Sequence, residues 1–303
     1  MKKPVFIIGC PRSGTSKLLD LLSAHENFAW ISSLSDYFPK KIPLNFYNKI
    51  YDIPLFGKYL FLGKNYIKHI LPTPSEPWRF WNTYLSKFQW KAGGDIPLRS
   101  QTKYDINYQE INNIHKILQL VCKYQNKDRF ISKYTNIPRI NYLLQVFPDA
   151  QFIHILRDGR AVANSYYKMI KSGKFETWNE REWWIRAWPE EWRNTWREKY
   201  RSPISFVAYQ WKYFLKEIWE ESKFIPNDQY LEVRYEKIMR KPKNEIQNIL
   251  EFCDLGFSSR IEWYLKHTRF TNMNYKWKNL KVEQIKELKE IIVEEEFKKF
   301  FEK

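Results

Sequence analysis

The residues best suited to chemistry lie near the amino terminus, in the segment GCPRSGTS at positions 9–16. Gly9 and Gly14 permit a tight loop, and the residues after it, as far as Ala24, carry leucines at helical spacing. Val5 to Ile8 is a short apolar run typical of a buried parallel strand. Strand, loop and helix together predict a phosphate cradle, because the loop N–H groups and the positive end of the helix dipole converge on one anion.

This loop departs from the nucleoside-triphosphate motif at the position of the motif's lysine. Gly9 and Gly14 have the required spacing, but Thr15 occupies the lysine position and Ser16 follows it. Arg12 supplies the cation instead, and its guanidinium presents several donors to the oxygens of a transferring group. The loop therefore predicts an anhydride of phosphate bound without Mg²⁺, with no metal site expected. A kinase-like enzyme remains the alternative, and Mg²⁺-dependent ATP turnover would indicate it.

Alternating strand and helix patterns predict an α/β fold. Phe152 to Leu156 and Tyr230 to Tyr235 have the length and composition of strands, and residues 28–39 suggest a short strand followed by a loop. Residues 106–125 and 204–222 carry apolar side chains at helical spacing. Because strands and helices alternate, we expect a central parallel sheet that binds its ligand at the carboxyl ends of the strands.

An arginine and a serine follow the strand predicted at Phe152 to Leu156. Arg157 stands at the carboxyl end of this strand, and Ser165 lies eight residues further on, in the next helix. An arginine in this position offers a bidentate clamp to a phosphate, and the serine adds a neutral donor. The alternative is a surface ion pair between Arg157 and Asp158 with an incidental helical serine.

The segment PRSGTS, followed by a leucine helix that ends in AH, resembles the loop of sulfotransferases that use 3′-phosphoadenosine 5′-phosphosulfate (PAPS), especially the bacterial and Golgi-type branch. The resemblance implies a P-loop-like three-layer α/β/α fold with helical elaborations, and PAPS as co-substrate. It also implies that Arg157 and Ser165 hold the 3′-phosphate of PAPS. The residues that it implies for the 5′-phosphosulfate are Pro11, Arg12, Ser13, Gly14, Thr15 and Ser16, with Arg12 also catalytic.

Three further segments extend the resemblance. In SKYTN, Lys133 is a candidate to steady the sulfuryl group or the acceptor. In YLEVRYEKI, Tyr235 matches an aromatic residue near the adenine, with core packing as the alternative. YKWKNL resembles the carboxyl-terminal segment that folds over the nucleotide, so Trp277 is expected to pack on the site and Lys276 or Lys278 to meet a phosphate.

The catalytic base does not follow from the resemblance. Relatives commonly carry a glutamate shortly after the loop helix, and that position falls near Ser32 or Ser33 in this chain. General-base catalysis needs a group such as a carboxylate within hydrogen-bond reach of the attacking hydroxyl, so Asp36 is the candidate. The alternatives are an Asp36 that only caps a turn, a base at His25 or His154, and a protein that binds PAPS but transfers slowly or not at all.

Two aromatic-rich segments, residues 40–105 and 172–203, lie outside the resemblance. We expect them to shape the acceptor cleft of a single domain that spans residues 1–303. In the second segment, tryptophans recur at every fourth position: Trp184, Trp188, Trp192 and Trp196. Indole faces suit sugar rings, so these residues allow a glycan or glycolipid acceptor beside other small molecules, and core packing is the alternative.

The composition favours an anionic partner. The 303 residues carry a formal net charge of +17, part of which reflects a composition rich in Lys, Asn, Ile and Tyr. Basic residues are spread along the chain and form no nucleic-acid motif, so no nucleic-acid partner is expected. A non-catalytic binder of anionic lipid or nucleic acid is the second alternative to an enzyme. Peripheral membrane contact stays open, and no oligomeric state is predicted.

Cysteine usage and hydropathy bear on the compartment. Cys10, Cys122 and Cys253 form neither a metal-binding pattern nor a disulfide framework, which favours a reducing environment. No apolar run approaches the roughly 18 residues of a membrane helix. The apolar part of MKKPVFIIG is too short for a signal peptide. A cytoplasmic location is therefore expected.

Overall fold

The fold is built around one sheet of parallel strands. The structure is a computed structural model that describes residues 2–53, 57, 60, 72–86, 107–173 and 181–292. The strands are β1 (Val5–Gly9), β2 (Phe28–Ala29), β3 (Arg129–Thr135), β4 (Gln151–Leu156) and β5 (Tyr230–Arg234). They are arranged in the order β2-β3-β1-β4-β5, and every pairing is parallel. The predicted α/β fold with a central parallel sheet is confirmed.

Helices cover the sheet and connect its strands. The α-helices are α1 (Thr15–Leu22), α2 (Ser33–Tyr37), α3 (Trp78–Tyr84), α4 (Tyr108–Gln125), α5 (Ile140–Val146), α6 (Gly159–Lys171), α7 (Arg181–Ile185), α8 (Glu190–Thr195), α9 (Pro203–Ser222), α10 (Tyr235–Arg240), α11 (Pro242–Phe252), α12 (Ser259–His267) and α13 (Val282–Ile292). Tighter 3₁₀ segments span Ile42–Asp52 and Asn274–Asn279, and a π-helical turn spans Trp196–Tyr200. In the described part of the chain, no helix combines the length and apolarity needed to cross a bilayer.

Strand β1 separates two hydrophobic cores, because its side chains alternate between the two faces of the sheet. Phe6 and Ile8 lie in one core together with Trp81 of α3. Val5 and Ile7 lie in the other, which includes the leucines of α1. Apolar packing on both faces produces three layers, as predicted, and keeps the loop after β1 at the carboxyl edge of the sheet.

The tryptophans near α7 and α8 pack inside the protein. Trp184, Trp188 and Trp196 are at most 9% exposed and belong to a third core that is formed largely by α9. Pro189 caps α8 and therefore opens a helix, so the indoles do not share one continuous helix. These three tryptophans therefore pack in the core, which was the alternative to a surface for a glycan acceptor.

Two sequence predictions differ from the fold in detail. Residues 28–39 contain a strand of only two residues, and a helix starts at Ser33 where we predicted a loop. The reason is local, because the Ser32 side chain accepts a hydrogen bond from the Ser35 N–H group and so caps the helix. Much of residues 40–105 and part of 172–203 lie outside the described residues, and the single domain over residues 1–303 stays a prediction.

Candidate functional site

A cavity of about 540 Å³ opens at the carboxyl edge of the sheet. Several of its walls are residues at or directly after the carboxyl ends of β1, β3, β4 and β5, where an open parallel sheet binds its ligands. The lining residues are Pro11, Arg12, Gly14, Thr15, Ser16, Lys17, Glu76, Lys133, Thr135, Arg157, Tyr235, Met239, Arg269, Thr271 and Met273. Most of the residues predicted for the donor site therefore meet in one place.

The loop after β1 has the conformation that anion binding requires. The Ser13 N–H group donates to the Cys10 carbonyl oxygen at 3.1 Å and closes the turn. Arg12 and Gly14 both adopt positive φ angles, of 72° and 103°. Helix α1 begins at Thr15, so the N–H groups of its first turn have no partner within the helix. They lie at the positive end of the helix dipole, and Thr15 and Ser16 line the cavity.

Gly14 is required both for its backbone conformation and for its lack of a side chain. A Cβ atom at Gly14 would lie 2.8 Å from the Tyr235 ring. We expect Gly14→Ala to lower the free energy of unfolding by more than Gly173→Ala, since Gly173 also has a positive φ but no neighbour within 4 Å. The backbone term alone is about 1–3 kcal/mol. Urea denaturation measures both variants, and equal losses would show that Tyr235 does not restrict the loop.

Arg12 joins the loop to the second predicted anion site. Its Nε donates to Ser165 Oγ at 3.1 Å, and Nη1 of Arg157 donates to the Arg12 carbonyl oxygen at 2.8 Å. These contacts form because β4 is the neighbour of β1 in the sheet, so the residues that follow the two strands meet. Arg12, Arg157 and Ser165 thus form one cluster.

The Arg157 guanidinium is held in place from two sides. Its Nε donates to Asn274 Oδ1 at 2.9 Å, and the guanidinium lies 4.1 Å from the centroid of the Tyr235 ring. Asn274 also donates to the Glu236 carboxylate, which fixes the amide. Burial lowers the pKa of Arg157, and Tyr235 and Glu236 oppose this effect. A partly desolvated cation of this kind is stabilised when an anion binds beside it.

Lys133 and Glu76 form an ion pair on the opposite side of the cavity. Nζ of Lys133 lies 2.8 Å from Glu76 Oε2 and 3.0 Å from Ser16 Oγ. The other carboxylate oxygen of Glu76 accepts hydrogen bonds from the backbone N–H and the hydroxyl of Thr135, at 2.7 and 2.8 Å. These contacts orient the carboxylate beside the phosphate loop.

Glu76 reaches the cavity from a distant part of the sequence. Residues 73–75 run antiparallel to residues 31–33, with Ser33 N–H donating to the Thr73 carbonyl oxygen at 2.9 Å and a bridge between Ser32 and Pro74. Glu76 therefore stands beside the position where relatives carry a glutamate. We did not predict this residue from the sequence.

Asp36 does not line the cavity. Its Oδ1 accepts a hydrogen bond from the Phe80 N–H group at 2.8 Å, so the side chain joins α2 to α3. Burial raises the pKa of Asp36, and the backbone N–H groups of Phe80 and Arg79 oppose this effect. The structure places the carboxylate in a structural contact, as in the turn-capping alternative.

Both histidine candidates have structural partners. His25 Nε2 lies 3.0 Å from the Gly256 carbonyl oxygen, and Nδ1 accepts from the Asn27 N–H group. His154 is 1% exposed, and its Nδ1 lies 2.8 Å from the Tyr230 hydroxyl. Neither ring is among the residues that line the cavity.

The carboxyl-terminal segment, residues 275–280, closely follows residues that line the cavity. Trp277 is 7% exposed. The Arg160 guanidinium packs on its indole ring, 4.7 Å from the ring centroid. Lys278 is exposed, and neither residue lines the cavity. Arg269 and Met273, which precede them in the chain, line it instead.

The charge of the lining favours a polyanion. Among the described residues that line the cavity, one side chain is acidic, that of Glu76, and five are basic: Arg12, Lys17, Lys133, Arg157 and Arg269. The described residues contain no group of three or more His, Cys, Asp or Glu side chains placed to hold a metal ion. The excess of positive charge in the lining suits a ligand that carries several phosphate or sulfate groups.

Solved structures with the same fold include two mycobacterial proteins. Sulfotransferase STF9 from Mycobacterium avium has a TM-score of 0.57 and 16% sequence identity, over 99% of this chain and 77% of that chain. Sulfotransferase STF1 from Mycobacterium tuberculosis H37Rv has a TM-score of 0.54 and 14% identity, over 95% of this chain and 76% of that chain. At these identities the similarity concerns the fold.

Sequence comparison identifies the family. An uncharacterized protein of Aquifex aeolicus (strain VF5) is 23% identical over 270 residues, which are 88% of this chain and 28% of that protein. The chain thus spans less than a third of that relative's length. Residues 4–259 match the sequence profile of the sulfotransferase family. Because this match includes the loop after β1 and all five strands, the chain belongs to the sulfotransferase family.

Proposed function

We propose that the protein transfers the sulfuryl group of PAPS to an acceptor hydroxyl and releases 3′,5′-ADP. The observation that carries this proposal is the contact between the two predicted anion sites, in which Arg12 bonds to Ser165 and Arg157 bonds to the loop. A ligand that spans both sites must carry anionic groups at two separate positions. PAPS has this property, with its 5′-phosphosulfate and its 3′-phosphate.

The loop would bind the 5′-phosphosulfate. Backbone N–H groups of Gly14, Thr15 and Ser16 would surround the group at the start of α1, where the helix dipole favours negative charge, while the Ser13 N–H group keeps the turn closed. Arg12 and Lys133 would flank it from opposite sides, and Pro11 lines the cavity beside them. Lys133 already bonds to Ser16, so its ammonium stands within reach of an oxygen bound by the loop.

The 3′-phosphate would lie between Arg157 and Ser165. Ser165 now accepts a hydrogen bond from Arg12, so donor binding would replace this contact with bonds to the ligand. Tyr235, against which Arg157 packs, would contact the adenosine. Trp277 would support the site through Arg160, and the exposed Lys278 would reach a phosphate only if its segment moved towards the cavity.

We propose Glu76, rather than Asp36, as the group that accepts the proton of the attacking hydroxyl. Of the roughly four lone-pair positions on a carboxylate, three are occupied here by Lys133 and by the two donors of Thr135. One position therefore remains for the acceptor hydroxyl. The side chain is 17% exposed, and Lys133 bonds both to it and to Ser16 of the loop, so a base at this position would stand next to a sulfuryl group bound by the loop.

The transfer then follows a single displacement. The acceptor oxygen attacks sulfur while its proton passes to Glu76, and the bond between sulfur and the bridging oxygen breaks. Charge develops on the bridging oxygen, where the Arg12 guanidinium stabilises it. Trp184, Trp188 and Trp196 are buried, so an acceptor of the small-molecule or glycan type would not bind to their faces.

Calorimetric titration of the metal-free protein with 3′,5′-ADP tests the proposal, with 5′-ADP as the paired ligand. We expect 3′,5′-ADP to bind in the micromolar range and 5′-ADP to bind more weakly by roughly 1–3 kcal/mol, because its loss of the 3′-phosphate leaves charged donors unpaired. In Arg157→Ala this preference should disappear. Equal binding of the two nucleotides by the unmodified protein, or tighter binding of ATP with Mg²⁺, would instead support a kinase-like enzyme.

A further inference from the structure

Exposed aromatic rings and lysines lie on or directly after α2 and on the 3₁₀ segment that follows it, and these two elements contact each other. Tyr37, Phe38, Phe46 and Tyr47 are 42–59% exposed, although Asn45 and Asn48, on either side of Phe46 and Tyr47, are buried. Ile53 adds aliphatic surface at the end of the same segment and is 49% exposed. We define the aromatic–basic surface as Tyr37, Phe38, Lys40, Lys41, Phe46, Tyr47, Lys49 and Ile53.

The rings of Phe46 and Tyr47 point outward because of the three-residue periodicity of the segment that carries them. Residues 42–52 form a 3₁₀ segment, in which side chains three positions apart share a face. Ile42, Asn45, Asn48 and Tyr51 follow this spacing and are all buried. Phe46 and Tyr47 are consequently directed to solvent. Their exposure follows from the register of the segment, and large apolar side chains held in water in this way typically mark a binding surface.

The charge of this surface has one sign. From Tyr37 to Tyr51 the sequence contains three lysines and no acidic residue. The Lys41 and Lys49 ammonium groups lie 5.5 and 5.2 Å from the ring centroids of Phe38 and Phe46. The carboxylates that border the surface are engaged elsewhere, Asp36 by the Phe80 N–H group and Asp52 by Lys127 and Arg260.

We infer that the aromatic–basic surface docks on the anionic headgroup layer of a lipid bilayer. Aromatic rings are enriched at the level of the headgroups, and lysines beside them are attracted to anionic lipids. Ile53 favours a bilayer over single-stranded nucleic acid, because bases stack chiefly on rings and guanidinium groups, whereas an aliphatic side chain is stabilised by leaving water for lipid. A bilayer therefore accounts for all three kinds of side chain.

Docking in this way brings the cavity close to the lipid. Glu76 lines the cavity, and Arg79, three residues further along the chain, packs 4.7 Å from the ring centroid of Tyr37 on the aromatic–basic surface. A hydroxyl carried by a lipid or by a lipid-linked glycan would then reach Glu76 from the membrane side. The docking itself does not depend on the donor, and only this use of it rests on the proposed function.

Sedimentation with vesicles tests the inference on the full chain. We expect the protein to sediment with vesicles of phosphatidylcholine and phosphatidylglycerol and not with phosphatidylcholine alone. Phe46→Ser combined with Tyr47→Ser should weaken binding on the order of tenfold, and Lys40→Glu combined with Lys41→Glu at least as much. The matched control combines Phe224→Ser with Val282→Ser, which are 88% and 78% exposed, directly after α9 and at the start of α13, and should leave binding unchanged.

Three results would overturn the inference: no binding to the anionic vesicles, equal binding by the ring variant and the unmodified protein, or an equal loss in the control variant. Titration of the same variants with 3′,5′-ADP keeps the two proposals separate. Vesicle binding without nucleotide binding would contradict the proposed function alone, and nucleotide binding without vesicle binding would contradict only the membrane surface.

Discussion

Replacing Glu76 by glutamine should lower the conversion of PAPS to 3′,5′-ADP on the order of 10²-fold or more, because general-base catalysis contributes roughly 10²–10⁴-fold. Glutamine keeps the size of the side chain and can still accept both hydrogen bonds from Thr135. It cannot take up the proton of the attacking hydroxyl. Release of 3′,5′-ADP is measured with water as the acceptor, which is always present, and then with candidate hydroxyl compounds.

Nucleotide affinity separates loss of the base from loss of the site. Glu76→Gln removes the ion pair with Lys133, in which the side chains are 17% and 9% exposed. Because this pair lies away from the proposed 3′-phosphate site, the affinity for 3′,5′-ADP should change by less than about tenfold, equivalent to about 1.4 kcal/mol. Glu76→Asp keeps a carboxylate and should recover part of the turnover.

The rival assignment makes the opposite prediction. If Asp36 were the base, Asp36→Asn would lose turnover while Glu76→Gln retained it, and α2 and its loop would have to shift to free the carboxylate from the Phe80 N–H group. Equal turnover in Glu76→Gln and the unmodified protein would remove Glu76 from the mechanism. Loss of nucleotide binding in Glu76→Gln would assign it a role in shaping the site.

The parts of the site that could be predicted from the sequence are those that depend on short stretches of chain. Gly9 and Gly14 define the loop between β1 and α1, and Arg157 follows a strand that is recognisable from its own apolar residues. The contact between Arg157 and the loop then follows from topology, because β1 and β4 are neighbours in a parallel sheet. Local patterns plus one sheet order therefore specify most of the donor side of the cavity.

Glu76 depends on long-range pairing, which no local pattern reveals. The residues before it pair with residues 31–33, about forty positions earlier, across a region without clear periodicity. The sequence did contain one signal for a carboxylate base, because Glu76 is the first acidic residue after Asp52. Trp277 and Lys278 illustrate the opposite situation, because the sequence identified a matching segment, residues 275–280, and the cavity is lined by Arg269 and Met273, which precede it. Their contact with the nucleotide stays a prediction.

Replacing Arg12 by alanine should lower turnover by roughly 10²–10³-fold, comparable to the loss of one preorganised donor from a site where charge develops. The Arg12 side chain leaves the loop at the edge of the cavity, and its Nε now bonds to Ser165 Oγ. Arg12→Lys keeps the charge but not the planar set of donors, so we expect it to recover only part of the turnover. The same 3′,5′-ADP release assay measures both variants.

The backbone of Arg12 provides a control that separates catalysis from folding. Arg12 has a φ of 72°, a conformation that costs about 1–3 kcal/mol for a residue with a side chain and little for glycine. Arg12→Gly should therefore leave the free energy of unfolding unchanged or raise it, while turnover falls as far as in Arg12→Ala. Greater stability of Arg12→Gly together with its loss of turnover would show that the guanidinium is needed for function and not for folding. Unchanged turnover in Arg12→Gly would show that the loop N–H groups and Lys133 bind and activate the sulfuryl group without it.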